Sequence, residues 1–392
     1  MSAWVLPDHI ADVLPSEARH IEELRRLCLD SARSFGYELI APPLLEHLES
    51  LLSGSGMSLD LQTFKLIDQL SGRTLGVRAD TTTQVARIDA HLLNRSGVTR
   101  LCYCGPVLHT RPSKPFATRE PLQMGAEIYG HAGLEADLEV IELAMHCLAQ
   151  STHGLMGKPL EFQIDLGDAR ILPAILKGVE LSNGQLQQLK VCIAGKDAPG
   201  LSEVCKSLPQ HNAVALKALL ELYGEQEVLT RGAVVLKDWP EALKALEQLQ
   251  WLKARLNVPV VFDLADVRGY SYYTGIRFSV YTSGLSDALI RGGRYDEVGA
   301  AFGRLRPAVG FSLDLKDWVQ LLARPPARRA IKAPWSEDAE LNAKIKTLRI
   351  QGETVLRVLP GQDIDGDEFL YDRELVNVNA SWTVQERSKS DL

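Results

Sequence analysis

The sequence predicts an α+β protein, a strand-rich core broken by a long helical stretch and followed by a small α/β appendage. Three observations carry this. RLCYCGPVL and PLQMGAEIYG are two apolar strands around a polar loop, RPSKPFATRE, the pattern of an antiparallel hairpin with a long tip. Residues from about 165 to 260 place Leu, Ala and Lys at helical spacing, and strand patterning returns at VPVVFDL. The basic, proline-containing ARPPARRAIKAPW marks a boundary near 324–334; strand, helix (Glu337–Arg349), strand (ETVLRVLP) and an acidic β-rich tail follow it. The expected division is a core over 1–324 and an appendage over 325–392.

In chain order, the first element is a helix over 16–35. Ser16 caps it after Pro15, Glu17 sits in the first turn, and Gly36 stops it. Ile21, Leu24, Leu27, Cys28, Ala32 and Phe35 form its apolar stripe. YELIAPPLLE reads as a strand running into Pro42 and Pro43, which confines it to an edge, a strand end or an interface. SGSGMS is a loop. FKLID and TLGVRAD follow as strands, then a helix through Thr83–Leu93. After the hairpin, EADLEVIELAMHCLAQS is an amphipathic helix, and the charges of the helical stretch read as solvated faces. Ile276, Phe278 and Val280 alternate with Arg277, Ser279 and Tyr281 as a further strand, and strand patterning continues through ALIRGGRYDEVG to RPAVGFSLDL.

Composition narrows the class. The 392 residues are 45% apolar and 24% charged, the balance of a globular protein. No apolar run approaches the ~20 residues of a membrane helix, and MSAWVLPDHIADVLP has no basic region followed by an apolar core, so no secretion signal is expected. A formal net charge of −7 argues against a broad basic face for nucleic acid. The six cysteines lack metal-type spacing; Cys102 and Cys104 alternate along a strand, which suits free thiols in a packed sheet. A cytoplasmic protein is expected, with neither metal nor cofactor.

Four places could carry chemistry. In VRADTTTQVAR, Arg78 and Asp80 alternate at a strand end before Thr81 and Thr82, and a structural ion pair with a helix cap fits as well as a ligand site. In LQMGAE, Gln123 and Glu127 share one strand face with Gly125 between them. Burying an amide and a carboxylate there requires partners, which a bound amine supplies, or water if the face is exposed. VRGYSYYTG, Val267 to Gly275, is either a hairpin wall or a pocket wall. In the second case Arg268 fixes a carboxylate or phosphate and Tyr272 or Tyr273 closes over a small ligand. In RGGRYDEVG, Gly292 and Gly293 permit close backbone approach, while Arg294 and Asp296 are placed to pair with each other. Phosphate-loop, HExxH and nucleophile-elbow motifs are absent.

In this order the segments resemble the catalytic core of class II histidyl-tRNA synthetases, from LPDHIADVLP to AVGFSLDL. SFGYELIAPPLLE is similar to the class II dimer-interface motif, with Pro43 as its proline. VRADTTT stands where the synthetases have Arg-Pro-Glu-Gly-Thr, and GPVLHTRPSKPFATREPLQMGAE resembles the second class motif and its loop. VRGYSYYTG and GGRYD resemble the two histidine-specific motifs, which are far more diagnostic. The resemblance implies an antiparallel six- or seven-stranded sheet flanked by helices, a homodimer, and a pocket for free histidine. Asp80, in place of a glutamate, would receive the α-amino group, with Thr82 in the same histidine-binding set. Gln123 and Glu127 would lie near the amino group and imidazole, Arg268 would face the carboxylate, and Tyr272 and Tyr273 would line the ring.

The nucleotide half departs from that family. Leu108, His109, Thr110 and Arg111 stand for Phe-Arg-x-Glu, Lys316 and Asp317 stand for Glu-Arg, and Asp314 replaces a glycine. Loss of one transition-state charge donor costs ~3–4 kcal/mol, and a carboxylate ~4 Å from a phosphate charge adds repulsion of several kcal/mol. No catalytic residue is therefore expected. The stretch after Arg324 is short and acidic (DIDGDEFLYDRE) where the synthetases carry an anticodon-binding domain, so no tRNA partner is expected. This combination resembles the regulatory subunit of short-form ATP phosphoribosyltransferase. It implies a hetero-oligomer with a separate short catalytic subunit at the first step of histidine biosynthesis, and allosteric feedback with L-histidine as effector. The alternatives are an active histidyl-tRNA synthetase and another class II amino-acid-activating paralogue; His109 and Asp317 argue against both.

Overall fold

The computed structural model of the chain describes residues 5–53, 56–115, 117–154, 160–267, 272–362 and 368–387. It divides into two compact units, one of residues 1–12 and 21–322, the other of residues 13–20 and 323–392.

The larger unit is built on a nine-stranded sheet. In chain order its strands are β1 (Glu38–Leu39), β5 (Thr99–Pro106), β6 (Leu122–Tyr129), β7 (Phe162–Asp168), β8 (Tyr223–Gly224), β9 (Val260–Asp263), β10 (Ile276–Thr282), β11 (Ile290–Arg294) and β12 (Ala308–Asp314). The intervening β2 (Leu45–His47), β3 (Phe64–Ile67) and β4 (Thr74–Val77) form a separate three-stranded antiparallel sheet in the order β2-β4-β3. The large sheet runs β1-β5-β6-β12-β11-β10-β7-β9-β8.

Its middle, β5 to β7, is antiparallel throughout. That corrects the expectation of six or seven antiparallel strands at the edges only. There β1 joins parallel to β5 and β9 parallel to β7, with the two-residue β8 beyond. A parallel pair needs a crossover of a dozen residues or more. The helices between β7 and β9, from Ile171–Leu176 to Pro240–Lys253, supply it.

The β5–β6 hairpin aligns Tyr103 with Gly125 and Leu101 with Glu127. Period-two alternation turns Gln123, Gly125 and Glu127 to one face and Met124, Ala126 and Ile128 to the other. The long helix Leu134–Gly154 packs on β6, β11 and β12, with Val140, Ile141, Leu143, Ala144, Cys147 and Leu148 buried. Strand β10 is covered on both faces. Arg277 and Ser279 are buried along with Ile276, Phe278 and Val280, and Arg277 is neutralised by an ion pair with Asp266.

Three local readings change. The YELIAPPLLE segment is two strands, β1 and β2, because the prolines interrupt the ladder between them. The helix expected over Thr83–Leu93 is α-helical over Thr82–Arg87 and a π-helix over Ile88–Leu93. The first helix starts at Pro15 rather than Ser16 and keeps its buried stripe at Ile21, Leu24, Cys28 and Ala32.

In the smaller unit, β13 (Arg328–Pro334), β14 (Val355–Val358), β15 (Phe369–Val378) and β16 (Ser381–Glu386) form a sheet in the order β14-β13-β15-β16. The helix Ala339–Ile350 buries Leu341, Ile345 and Leu348 against Ile331, Ala333, Val355 and Leu375. Asp338 caps it by accepting from the Glu340 N–H at 2.8 Å, and also accepts from Trp382 Nε1 at 2.7 Å. All six cysteines are free thiols, and among the described residues no helix is long and apolar enough to cross a membrane.

Candidate functional site

A cavity of about 530 Å³ opens on the face of the sheet where β6, β11 and β12 carry glycines. Two of these glycines are required by shape. A Cβ at Gly310, opposite Glu127 in the ladder, would overlap Glu127 Oε2 and lie 2.7 Å from the Ala126 carbonyl oxygen. A Cβ at Gly125 would overlap the Tyr103 hydroxyl and lie 2.7 Å from the Phe311 carbonyl oxygen. The glycines therefore make the room in which a carboxylate and a phenol lie flat on the sheet.

Glu127 is 1% exposed and forms the floor. Three hydroxyls converge on it. Tyr103 donates to Oε1 at 3.1 Å, Thr82 to Oε1 at 3.3 Å, and Tyr295 to Oε2. Burial dominates over these bonds and pushes the carboxyl up to about 8, with the Asp80 charge acting in the same direction. Asp80 and Gln123 form a second pair beside it. Gln123 Nε2 donates to Asp80 Oδ2 at 2.9 Å, while its Oε1 accepts from the Thr81 N–H at 3.0 Å. Asp80 Oδ1 accepts from the Thr82 N–H at 2.7 Å, so the cap of the short helix is this carboxylate rather than a threonine hydroxyl.

An aromatic wall adjoins Glu127 through Tyr295. Tyr272 stacks on Tyr295 at 5.2 Å between centroids and meets Tyr273 edge-on at 5.1 Å. A Cβ at Gly293 would lie 2.9 Å from the Tyr273 ring, so this glycine admits the wall. Six of the seven residues singled out for histidine, Asp80, Thr82, Gln123, Glu127, Tyr272 and Tyr273, line this one cavity. The seventh, Arg268, lies outside the described residues. Tyr103 and Tyr295, which hold Glu127, were missed by sequence reasoning; the signal for Tyr295 was its place in GGRYD.

Other candidates resolve as structure. Arg78 does not pair with Asp80. Its Nε donates to the Pro106 carbonyl and a terminal nitrogen to the Pro42 carbonyl, each at 2.8 Å, fastening the proline segment to the end of β5. Arg294 reaches past Asp296 (3.4 Å) to an ion pair with buried Asp137 and to the carbonyls of His131 and Gly133, both at 3.1 Å.

At the outer end of the cavity the lining cations among the described residues are paired. Lys114 Nζ lies 2.9 Å from Asp317 Oδ2, and Arg291 pairs with Asp287. Lys316 Nζ is 3.4 Å from Glu120. His109 Nε2 is 2.9 Å from the Ala79 carbonyl, which can only accept, so this nitrogen carries the proton. Arg119 donates to the His109 carbonyl at 3.0 Å and stands over the Phe64 ring at 5.1 Å. Arg111 is exposed. Burial raises the Asp314 carboxyl to about 6, although it accepts from the Leu122 and Lys316 N–H groups at 2.9 Å. This end is built of carboxylates with their own partners, a poor cradle for phosphates. Among the described residues no group of His, Cys, Asp or Glu is arranged to hold a metal ion.

A family profile described as histidyl-tRNA synthetase matches residues 9–318, and one described as ATP phosphoribosyltransferase subunit HisZ C-terminal domain matches residues 328–385. The chain is 61% identical over 385 residues to an ATP phosphoribosyltransferase regulatory subunit of Albidiferax ferrireducens, covering 98% of this chain and 99% of that one. It is 60% identical to the same-named protein of Acidovorax ebreus, with 98% and 100% covered. A solved structure from Bacillus halodurans, described as an ATP phosphoribosyltransferase regulatory subunit/histidyl-tRNA synthetase, superposes with a TM-score of 0.80 at 28% identity, covering 93% of this chain and 96% of that one. The chain therefore belongs to the family of ATP phosphoribosyltransferase regulatory subunits, a family with a histidyl-tRNA synthetase-like core.

Proposed function

We propose that this regulatory subunit binds free L-histidine in the cavity above Glu127, adenylates nothing, and passes the bound state to a separate short catalytic subunit that joins ATP and phosphoribosyl pyrophosphate. The observation that carries the reading is the contrast between the two ends of one cavity. The inner end presents Glu127, Asp80 and Gln123 as acceptors for N–H groups, with an aromatic wall for a flat ring. The outer end has Lys114 and Arg291 held by carboxylates, where ATP would need free cations. Arg268 is assigned to the ligand carboxylate.

The working assembly is a hetero-oligomer containing a homodimer of this chain, formed through the segment around Ser34–Glu46. Leu39, Leu44 and Leu45 are exposed there, which supports the assignment. The acidic tail argues against tRNA. Feedback then requires that histidine bind one quaternary state better than the other, and it shifts the equilibrium only by that difference.

The test is calorimetric titration of histidine into the purified chain, paired with a histidine-dependent ATP–pyrophosphate exchange assay. Saturable binding without exchange is expected. Robust exchange would make the chain a synthetase and end the regulatory reading.

A further inference from the structure

Resting on the histidine reading above, we propose that the ligand enters this cavity in exchange for a proton, which leaves the Glu127 carboxyl for solvent as a ligand N–H takes its place.

The geometry is that of a carboxyl almost wholly buried at the cavity floor and, among the described residues, without a paired cation. Glu127 is 1% exposed, and no Lys, Arg or His among the described residues pairs with it. Among the described residues its neighbours are neutral or acidic. Tyr103 comes from β5, Tyr295 from the end of β11, Thr82 and Asp80 from the helix entry, and Gly310 from β12 leaves the space itself. Tyr272 and Tyr129 pack against Tyr295 behind them. An anion in such a place has no paired cation among the described residues, and the adjacent Asp80 opposes it. Burial accordingly holds the carboxyl in its neutral form up to about pH 8 in the empty cavity.

Three hydroxyl donors already point at the two carboxyl oxygens, and two carboxylate oxygens offer about four acceptor positions. One position therefore remains, on the cavity side. The ligand ammonium placed there completes the set and supplies positive charge at hydrogen-bonding range. Both effects favour the ionised form. The ammonium is already fully protonated and cannot take the acid's proton, so its binding converts a neutral acid into a carboxylate and sends one proton to the buffer. Tyr103 and Tyr295 act as positioning residues, since their hydroxyls keep the carboxyl oriented in both states.

The sign of the pH effect follows. Below the free-state value near 8, the empty protein carries the proton and the complex does not, so affinity rises with pH by up to about tenfold per unit. Regulation by such a site would be tighter in alkaline than in acidic conditions.

The experiment is histidine titration of the wild-type chain at pH 7 in phosphate and in Tris, whose ionisation enthalpies differ widely. A buffer-dependent enthalpy equivalent to release of close to one proton is expected, together with affinity that rises from pH 6.8 to 7.8. Glu127→Gln should bind more weakly and show no release from this group. Infrared difference spectra supply an independent readout: a carboxylic-acid carbonyl band lost on binding in wild type and absent from the variant. Binding with equal enthalpy in both buffers, after correction for the ligand's own ionisation, would overturn the inference and leave the histidine site standing. Failure of histidine to bind at all would overturn both.

Discussion

Gly310→Ala probes the architecture of the cavity with one methyl group. An alanine Cβ there overlaps Glu127 Oε2 and stands 2.7 Å from the Ala126 carbonyl oxygen, while Glu127 is held by hydroxyls of Tyr103, Thr82 and Tyr295. The carboxyl cannot keep its place. Overpacking of this kind destabilises by ~1–3 kcal/mol. Each displaced hydrogen bond to an ionised group is worth ~1.5–3 kcal/mol in the complex, so histidine affinity should fall ten- to a hundredfold or more. Thermal melts and histidine titrations report the two effects separately. Gly184→Ala is the control, since its Cβ meets nothing within 4 Å and it sits in the helix Asn183–Ala194, where alanine is favoured by up to ~1 kcal/mol. Wild-type melting and wild-type affinity in Gly310→Ala would show that Glu127 does not lie against β12, and the site as described would fall.

Further expectations concern charge. Arg268→Ala should weaken histidine binding ten- to a hundredfold, the value of a charge-assisted and bidentate contact worth ~1.5–3 kcal/mol, without lowering the melting temperature; unchanged affinity would relieve Arg268 of its role. Arg306→Met should destabilise by ~3–5 kcal/mol, because Arg306 lies 2.9 Å from buried Asp89 and also binds the Tyr129 carbonyl; a melt within a degree of wild type would refute the structural assignment. The ligand-free protein should lose stability as pH rises from about 4.5 through about 8. Glu127 has a folded-state value raised above the unfolded one, so its contribution is complete below the unfolded value and lost as the folded group ionises. Glu127→Gln should flatten that slope. Sedimentation at micromolar concentration should find a dimer, and a monomer would count against the Ser34–Glu46 interface.

Much of this site was legible because its parts lie close along strands. Gln123 and Glu127 differ by four residues on one strand, and period two alone sets them on one face. The same rule placed Cys102 and Cys104 on one face of β5, Cys102 buried and Cys104 half-buried. What joins Glu127 to Tyr295, by contrast, spans 168 residues and three neighbouring strands, and no local pattern encodes such a contact. The glycines at 125 and 310 read only as interruptions until the side chains opposite them are seen. The edge strands β1 and β8 have two residues each, too few for any periodicity. The π-helical turn at Ile88–Leu93 keeps the apolar pattern of an α-helix, and its buried Asp89 is explained only by Arg306, far along the chain. Arg78 shows the converse, and Arg294 shows it in part. Arg78 is held by backbone carbonyls instead of its nearest acid, while Arg294 keeps its pair with Asp296 and adds buried Asp137, which no local pattern announces.

The central claim, that this chain acts only through a catalytic partner and makes that partner responsive to histidine, is tested most directly by reconstitution. The chain and a short-form ATP phosphoribosyltransferase catalytic subunit are co-purified, and the ATP- and phosphoribosyl pyrophosphate-dependent rate is measured with and without histidine. The account predicts a stable complex whose activity exceeds that of the catalytic subunit alone and falls on addition of histidine, with Glu127→Gln shifting the inhibition to higher concentration. Failure to form the complex, or activity indifferent to both this chain and histidine, would contradict it.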